Sequence, residues 1–250
     1  MEAVANIFEY AGGITLLFFQ TIRHTFKRPF PLALTVQQIE AIGVRSLTVV
    51  NVIALFTGMV LALQTAEAMT RFGAKGYIGV VVALSMLREI GPVFTAIMVG
   101  GRVGSGIAAE LGSMQVTEQI DAMRVMGAHP VRKLVVPRVI ATTLILPMLT
   151  VIADILGIFG GLLISIVELK VNAYYYFHTI LENITFSDIF SGLGKTFFFG
   201  FLIAIIGCYQ GLTTSGGTQG VGSSTTRTVV LISIAVLIAD FLLTKLFMLL

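Results

Sequence analysis

Residues 117–138, TEQIDAMRVMGAHPVRKLVVPR, form a charged island between two long apolar runs of the chain. Thr117 is placed to cap a helix, while Glu118 and Asp121 put negative charge near the positive end of the helix dipole. Gly127 supplies a stop signal after the last apolar position of this helix. The island therefore predicts a short helix that is held at a membrane surface.

The predicted helix has one apolar face, because Ile120, Met123 and Met126 recur at every third position. An amphipathic helix of about nine residues is too short to be stable alone in water. We therefore expect it to pack against something else, which could be another protein.

The composition is that of a membrane protein. Hydrophobic residues make up 56% of the chain and charged residues only 12%, and the mean hydropathy is +0.95. A soluble domain must cover itself with polar surface, so this composition excludes one, and most of the surface must face lipid. The net charge of +3 does not indicate nucleic-acid binding, because the basic residues follow the ends of the apolar runs.

Five apolar runs have about the length that a membrane-spanning helix needs, which is about 20 residues. We predict spans at residues 46–66, 76–101, 139–167, 196–212 and 228–250. Charged residues interrupt some of these runs but do not break their apolar character.

A shorter apolar run, Tyr10–Ile22, is followed by a basic cluster that ends in a proline, residues 23–29. The length of this run and its flanking charges favour a helix that lies along the membrane interface and does not cross it. The sequence thus predicts an all-α membrane protein with a single transmembrane domain over residues 1–250. Residues 1–45 form its N-terminal and interfacial segment.

The distribution of Lys and Arg predicts the orientation. The positive-inside rule places the N-terminus and the loop 113–138 in the cytoplasm, and the segment 168–188 and the C-terminus outside. We expect the four consecutive aromatics of the outer segment, residues 174–177, to anchor it at the outer interface. The ten basic residues of the inner segments are Arg23, Lys27, Arg28, Arg45, Arg102, Arg124, Arg132, Lys133, Arg138 and Arg227, and the four of the outer segments are Arg71, Lys75, Lys170 and Lys245.

Small residues recur at every fourth position in three of the spans, as in Gly100, Gly104, Ala108 and Gly112. Such a stripe allows a neighbouring helix to approach closely. Packing within one chain is the favoured interpretation for most of these stripes, while one of them could form a homodimer seam. Because five helices make a thin bundle around any sizeable substrate, we expect two copies to enclose a central cavity.

Five ionisable residues fall within or at the edge of the predicted spans, where a charge is costly unless it is paired or wetted. Arg88 and Glu89 are neighbours, about 100° apart on a helix, so they cannot both face one partner, and one of them is expected to pair with Lys195. A structural salt bridge and a polar lining for a lipid headgroup are both open interpretations of this group. Asp154 and Asp240 are interpreted as structural or interfacial.

The chain carries no recognisable catalytic, metal or nucleotide motif. The GKT at residues 194–196 lacks the first glycine of a phosphate-binding loop, since Ile189 stands in its place. The glycine-rich run 211–222 lacks the strand and helix frame of a dinucleotide site, and the three histidines are too dispersed for zinc spacing. We therefore expect no metal, no cofactor and no enzymatic activity in this chain itself.

Three segments of the sequence resemble those of a known family. They are REIGPVFTAIMVGGRVGSGIAAELG (88–112), ELGSMQVTEQIDAMRVMG (110–127) and HPVRKLVVPR (129–138). Together they are similar to the MlaE family of phospholipid-transport permeases, and the resemblance extends more weakly over nearly the whole chain. The loop 113–138 also resembles the cytoplasmic coupling segment of ABC-transporter permeases in general.

The resemblance implies roles for two groups of residues. It places Arg88, Glu89 and Lys195 at the substrate cavity. It places the contact with an ATPase partner on the short helix of the charged island, at Glu118, Asp121, Met123, Arg124 and Gly127.

The resemblance further implies a homodimeric transporter subunit in the inner membrane of a Gram-negative cell, with phospholipid as its substrate. A separate cytoplasmic ATPase would bind and hydrolyse ATP. A small cytoplasmic accessory subunit and a periplasmic ring of MCE-domain proteins would complete an assembly that maintains outer-membrane lipid asymmetry. Two other classes stay open on the residues alone: an ATP-independent channel or secondary transporter whose charges form an ion path, and a membrane scaffold whose charges are structural.

Overall fold

The structure is a computed structural model that describes residues 2–25 and 32–249. Within those ranges all regular structure is helical and no strand occurs. The predicted basic residues Lys27 and Arg28, and Pro29 after them, lie outside the described residues.

Ten α-helices follow one another along the described chain. They are α1 (Glu2–Thr25), α2 (Leu32–Arg71), α3 (Ile78–Ser85), α4 (Gly91–Val99), α5 (Ser105–Val116), α6 (Gln119–Val125), α7 (Val136–Val167), α8 (Ala173–Asn183), α9 (Phe186–Leu212) and α10 (Gly217–Leu249).

Three five-residue π-helical turns lie within the longer helices. Met86–Ile90 and Gly100–Gly104 join α3, α4 and α5 into one continuous helix that starts from a 3₁₀ turn at Lys75–Tyr77. Val131–Val135 extends α7 at its N-terminal end. A π turn widens the helix locally and is often found at functional sites.

Among the described residues, five helices are long and apolar enough to cross a membrane, which confirms the predicted number and order of spans. They are Leu32–Arg71, Lys75–Val116, Val131–Val167, Phe186–Leu212 and Gly217–Leu249. The first begins well before the apolar run at Ser46, because polar residues with good helix propensity continue the helix beyond the part that must be apolar.

Glycines allow the spans to pack backbone against backbone. A Cβ added to Gly58 of α2 would collide with the carbonyl of Gly157 on α7, and one added to Gly207 of α9 would press on the carbonyl of Gly104. Gly100 and Gly104 face Ile232 of α10. The predicted stripe that contains Gly100 and Gly104 therefore packs against helices of the same chain, which was the favoured interpretation.

The short helix of the charged island is present as α6, but its predicted cap is wrong. Thr117 is the C-cap residue of α5, and its Oγ1 donates a hydrogen bond back to the Ser113 carbonyl at 2.8 Å. Glu118, with φ of 58°, turns the chain into α6 without a side-chain cap. Thr117 cannot cap α6, because the left-handed residue at 118 separates it from the new helix. Gly127 ends this segment with φ of 75°, which confirms the predicted stop.

The outer segment contains α8, which follows α7. Tyr176 of α8 is buried, and its hydroxyl donates to the Ile158 carbonyl at 3.2 Å. Its ring fills space left by Gly79 and Gly161, where a Cβ would collide with it. The prediction that all four aromatics act as interface anchors is therefore wrong for Tyr176, while Tyr174 is exposed as expected.

Candidate functional site

Lys195 lies at the centre of a buried polar cluster between three spans. Its side chain is 2% exposed, and Nζ contacts Glu89 Oε2 at 2.8 Å and Asp240 Oδ1 at 3.1 Å. Nζ also lies 2.6 Å from Thr244 Oγ1, whose hydroxyl is 3.2 Å from Glu89 Oε1. The prediction that either Arg88 or Glu89 pairs with Lys195 is thus confirmed, and the partner is Glu89.

A proline explains why the second span offers a backbone acceptor to this lysine. Pro92 has no N–H, so the Arg88 carbonyl, four residues earlier, lacks its usual helical donor. Lys195 Nζ donates to this carbonyl at 3.1 Å. The π turn Met86–Ile90 lies at the same place, and Gly192 lets α9 approach closely, because a Cβ there would collide with the Leu87 carbonyl.

Arg88 faces a different partner from its neighbour. Its Nε lies 2.7 Å from Asp188 Oδ1. Asp188 is held in place by a capping box, since its Oδ2 accepts hydrogen bonds from the backbone N–H and the hydroxyl of Thr185, both at 2.8 Å. Asp188 and Lys195 lie two turns apart on one face of α9, so this single face pairs with both adjacent charges of the second span.

The cluster borders an open cavity of about 310 Å³. Arg88 and Glu89 are 53% and 42% exposed at their side chains, whereas Lys195 is enclosed. The charges that face the cavity are therefore Arg88 and Glu89, and Lys195 holds Glu89 from behind. The lining residues are Arg88, Glu89, Ser187, Ser191, Lys195, Thr244, Phe247 and Met248.

Sequence reasoning left Asp188, Asp240 and Thr244 out of this site. Asp240 was recognised as a charge within a span but not assigned to this site, and its i, i+4 spacing from Thr244 places both side chains on one face of α10. Asp154 is separate from the cluster and buried in α7 beside Gly91. Its Oδ1 has no hydrogen-bond partner within the part of the chain that the structure describes.

The predicted coupling residues lie together on and around α6. Arg124 Nη1 pairs with Asp121 Oδ1 at 2.6 Å on the exposed face of this helix. Ile120 is fully buried and attaches α6 to the bundle, while Val125 and Met126 project with 89% and 76% exposure. The predicted apolar face is thus divided, because Ile120 packs against the bundle while Met126 is exposed, and Val125, which the sequence analysis did not name, joins Met126.

Among residues 10–25 and 32–249, whose side chains the structure describes, no group of three or more His, Cys, Asp or Glu side chains is arranged to hold a metal ion. The polar cluster at Lys195 consists of paired charges and hydroxyls. Such a set can bind a charged headgroup.

Comparison with known proteins gives consistent matches over most of the chain. The family model described as "Permease MlaE" matches residues 35–246. A "Probable ABC transporter permease protein" of Rickettsia felis is 42% identical over 236 residues, which cover 94% of this chain and 91% of that protein. The "Intermembrane phospholipid transport system permease protein MlaE" of Haemophilus influenzae is 34% identical over 246 residues, which cover 97% of this chain and 94% of that protein.

A plant protein shows the same relationship. "Protein TRIGALACTOSYLDIACYLGLYCEROL 1, chloroplastic" of Arabidopsis thaliana is 42% identical over 213 residues, which cover 85% of this chain and 61% of that protein. The bacterial matches span nearly the full length of both partners, and the family model covers all five spanning helices at least in large part. On these grounds the chain belongs to the MlaE permease family.

Proposed function

We propose that this chain is the membrane subunit of an ABC transporter that moves phospholipid, with ATP hydrolysed by a partner ATPase. Family membership and the name of the Haemophilus influenzae relative support this proposal. The observation that carries it is the placement of two half-exposed opposite charges, Arg88 and Glu89, at a cavity between otherwise apolar helices.

The two exposed charges suit the two ends of a phospholipid headgroup. The Arg88 guanidinium uses Nε for Asp188, which leaves its terminal nitrogens to donate to a phosphate. Glu89 presents a carboxylate to an ammonium or hydroxyl group. Phe247 and Met248 give the same cavity an apolar wall for the start of the acyl chains. Lys195 acts as a positioning residue, because its burial keeps it from the headgroup while it fixes Glu89.

The rest of the assembly follows from the family. Two copies of the chain would form a homodimer around a shared lipid path, in the inner membrane of a Gram-negative cell. A periplasmic ring of MCE-domain proteins would exchange lipid with them and maintain outer-membrane asymmetry, together with a small cytoplasmic accessory subunit. The N-terminus and the loop 113–138 would then be cytoplasmic and the C-terminus periplasmic.

The ATPase would dock on α6. Val125 and Met126 project from the bundle as an apolar tip, and the charged residues Glu118, Asp121 and Arg124 surround that tip. Buried apolar anchors with a charged rim are the usual anatomy of a protein interface. Ile120 would transmit movement of the ATPase, since it fixes the helix to the spans.

A crosslinking experiment tests the lipid site without disturbing the ion pairs. A photo-reactive amino acid at Ser191, which lines the cavity, should capture phospholipid in the assembled transporter, and the yield should change when ATP is added. The matched control is Leu237, on the exposed surface of α10, where lipid capture should not respond to ATP.

Charge variants complete this test. Arg88→Gln and Glu89→Gln should each lower ATP-driven lipid transfer about tenfold, the effect of losing one charge-assisted hydrogen bond. Arg71→Gln, an exposed arginine with its own partner Glu67, should have no effect. The site assignment would be contradicted if both cavity variants transferred lipid at the normal rate and the crosslinking yield at Ser191 did not change with ATP. Lipid or ion movement that needs no ATPase would favour the channel interpretation.

A further inference from the structure

Asp154 is a buried acid in the third span that the proposed lipid site does not use. It lies on α7, about 27 Å along the helix from Val136, and is 4% exposed. Its Oδ1 has no hydrogen-bond partner, and the carboxyl group takes part in no ion pair within residues 10–25 and 32–249. An ionised carboxylate at this depth is costly unless it is paired or wetted.

The carboxyl group of Asp154 packs against the π turn of the second span. A Cβ added to Gly91 would collide with Asp154 Oδ1 and would lie 2.7 Å from the carbonyl oxygen of Met86, so both oxygens border the same point on this turn. The Met86 carbonyl accepts the Gly91 N–H and has a second lone pair. A carboxylate beside this oxygen would be repelled, whereas a protonated carboxyl group brings an O–H that can donate to a backbone carbonyl.

The helices that pack against α7 offer Asp154 no free counter-charge. Along α2, no ionisable residue occurs between Arg45 and Glu67. From α8, the Tyr176 hydroxyl reaches α7 but donates to the Ile158 carbonyl, and α1 meets α7 at its other end, near Val139. The charges of the second span and of α9 pair with one another, Arg88 with Asp188 and Glu89 with Lys195.

Water has little room beside the carboxyl group. A cavity bordered by Gly91 and Ala153 has a volume of about 10 Å³, which is about the space that one water molecule needs. Its lining is apolar apart from Thr57 and Thr95, whereas a buried water molecule usually has about two to four polar partners. Neither a cation nor a hydration shell therefore compensates a negative charge at Asp154.

We propose that Asp154 is a proton-binding site within the membrane. The packed second span holds it as a neutral carboxylic acid, and the proton passes to water when the contact at Gly91 opens. Gly91 and Glu89 lie about 200° apart around their helix, so Asp154 and Lys195 contact opposite sides of the same turn. The bound proton thus supports from behind the turn that carries the charges of the proposed lipid site. Because the proton site depends on packing alone, it stands even if that cavity binds no lipid.

Proton binding at Asp154 gives the stability of the protein a pH dependence of known sign. The packed protein binds one more proton at this position than the unfolded chain, in which an aspartate is ionised at neutral pH. Stability at this position therefore falls as the pH rises. Asp154→Asn keeps the shape of the neutral acid but has no proton to lose, so the variant should lack this contribution.

Thermal and chemical unfolding of the full-length protein in detergent, between about pH 5 and 8, measures this difference. Relative to Asp154→Asn, the unfolding equilibrium constant of the native protein should grow by up to about tenfold per pH unit, the slope for one proton. Glu67→Gln removes an exposed acid and should keep the native slope. Parallel pH profiles for the native protein and Asp154→Asn would overturn the proposal.

Infrared spectroscopy detects the proton directly. The spectrum of the native protein minus that of Asp154→Asn should contain the carbonyl band of a protonated carboxylic acid, which moves in D₂O. A difference spectrum with carboxylate bands only would show that Asp154 is ionised and would overturn the proposal. If Asp154→Asn does not fold, Asp154→Leu, which has a similar volume and no carboxyl group, replaces it in both measurements.

Discussion

Arg138, at the start of α7, forms an ion pair with Glu110, near the end of α5, at 2.7 Å between Nη2 and Oε1. The two residues flank the loop 113–138, so the pair joins its ends. The Arg138 side chain is 5% exposed, and its Nη1 also donates to the Leu134 carbonyl at 2.7 Å. The pair therefore ties the end of the second span to the start of the third span.

Loss of this ion pair should loosen the loop. Glu110→Gln leaves the buried Arg138 without its counter-charge, so we expect a loss of about 1–3 kcal/mol of stability and weaker coupling of ATP hydrolysis to lipid transfer. Thermal unfolding in detergent and the ratio of hydrolysis to transfer measure the two effects. Glu67→Gln, which breaks the fully exposed pair with Arg71, is the control and should change neither. An unchanged ratio would show that the pair plays no part in coupling.

Lys195→Met should be strongly destabilising. The variant leaves Glu89 and Asp240 close to each other without the cation between them, and breaking a buried pair costs about 3–5 kcal/mol. Adding Asp240→Asn should recover part of the loss, because it removes one of the two carboxylates. Unfolding temperatures of the single and double variants check this. A stable single variant would mean that the cluster is hydrated and does not hold the spans together.

Gly58→Ala should disturb the packing of α2 on α7, since the new methyl group would collide with the Gly157 carbonyl. We expect a loss of about 1–3 kcal/mol. Gly106→Ala is the matched control, because no atom lies within 4 Å of its Cβ position, and it should be neutral or stabilising by up to about 1 kcal/mol. Equal unfolding temperatures for the two variants would argue against this close contact.

Gly127→Val should weaken ATPase binding, because a β-branched residue resists the φ of 75° that ends the α6 segment. Gly73→Val is a matched control: Gly73 has φ of 69° and, like Gly127, no atom within 4 Å of its Cβ position. Glu118→Lys and Asp121→Lys should act in the same direction as Gly127→Val. Co-purification of the ATPase measures all four variants, and equal effects at Gly73 and Gly127 would remove the docking assignment.

Cysteine labelling tests the orientation. In a chain with Cys208→Ala and without the ATPase partner, a cysteine at Val125 should react only from the cytoplasm and one at Tyr174 only from outside, since both positions are exposed and lie at opposite ends of the bundle. The reverse labelling pattern would invert the topology and exclude α6 as a cytoplasmic docking helix.

The sequence by itself determined the membrane location, the five spans and the charged loop with a short helix between the second and third spans. These properties depend on local composition, because a run of about 20 apolar residues is stable only in lipid or a protein core. The motif over residues 88–138 also identified the family. The pairing of Glu89 with Lys195 was predictable because two lone opposite charges within apolar spans stabilise each other.

Only the tertiary structure decided which other side chains meet. Asp188 pairs with Arg88, Asp240 and Thr244 join Lys195, and Glu110 joins Arg138. These contacts depend on the axial register between spans, to which close backbone contacts at glycines such as Gly192 and Gly207 contribute. Register is a property of helix pairs, so no pattern within one helix encodes it. The predicted Thr117 cap also failed, because Glu118 adopts a left-handed conformation between α5 and α6 and Ile120 is buried against the bundle.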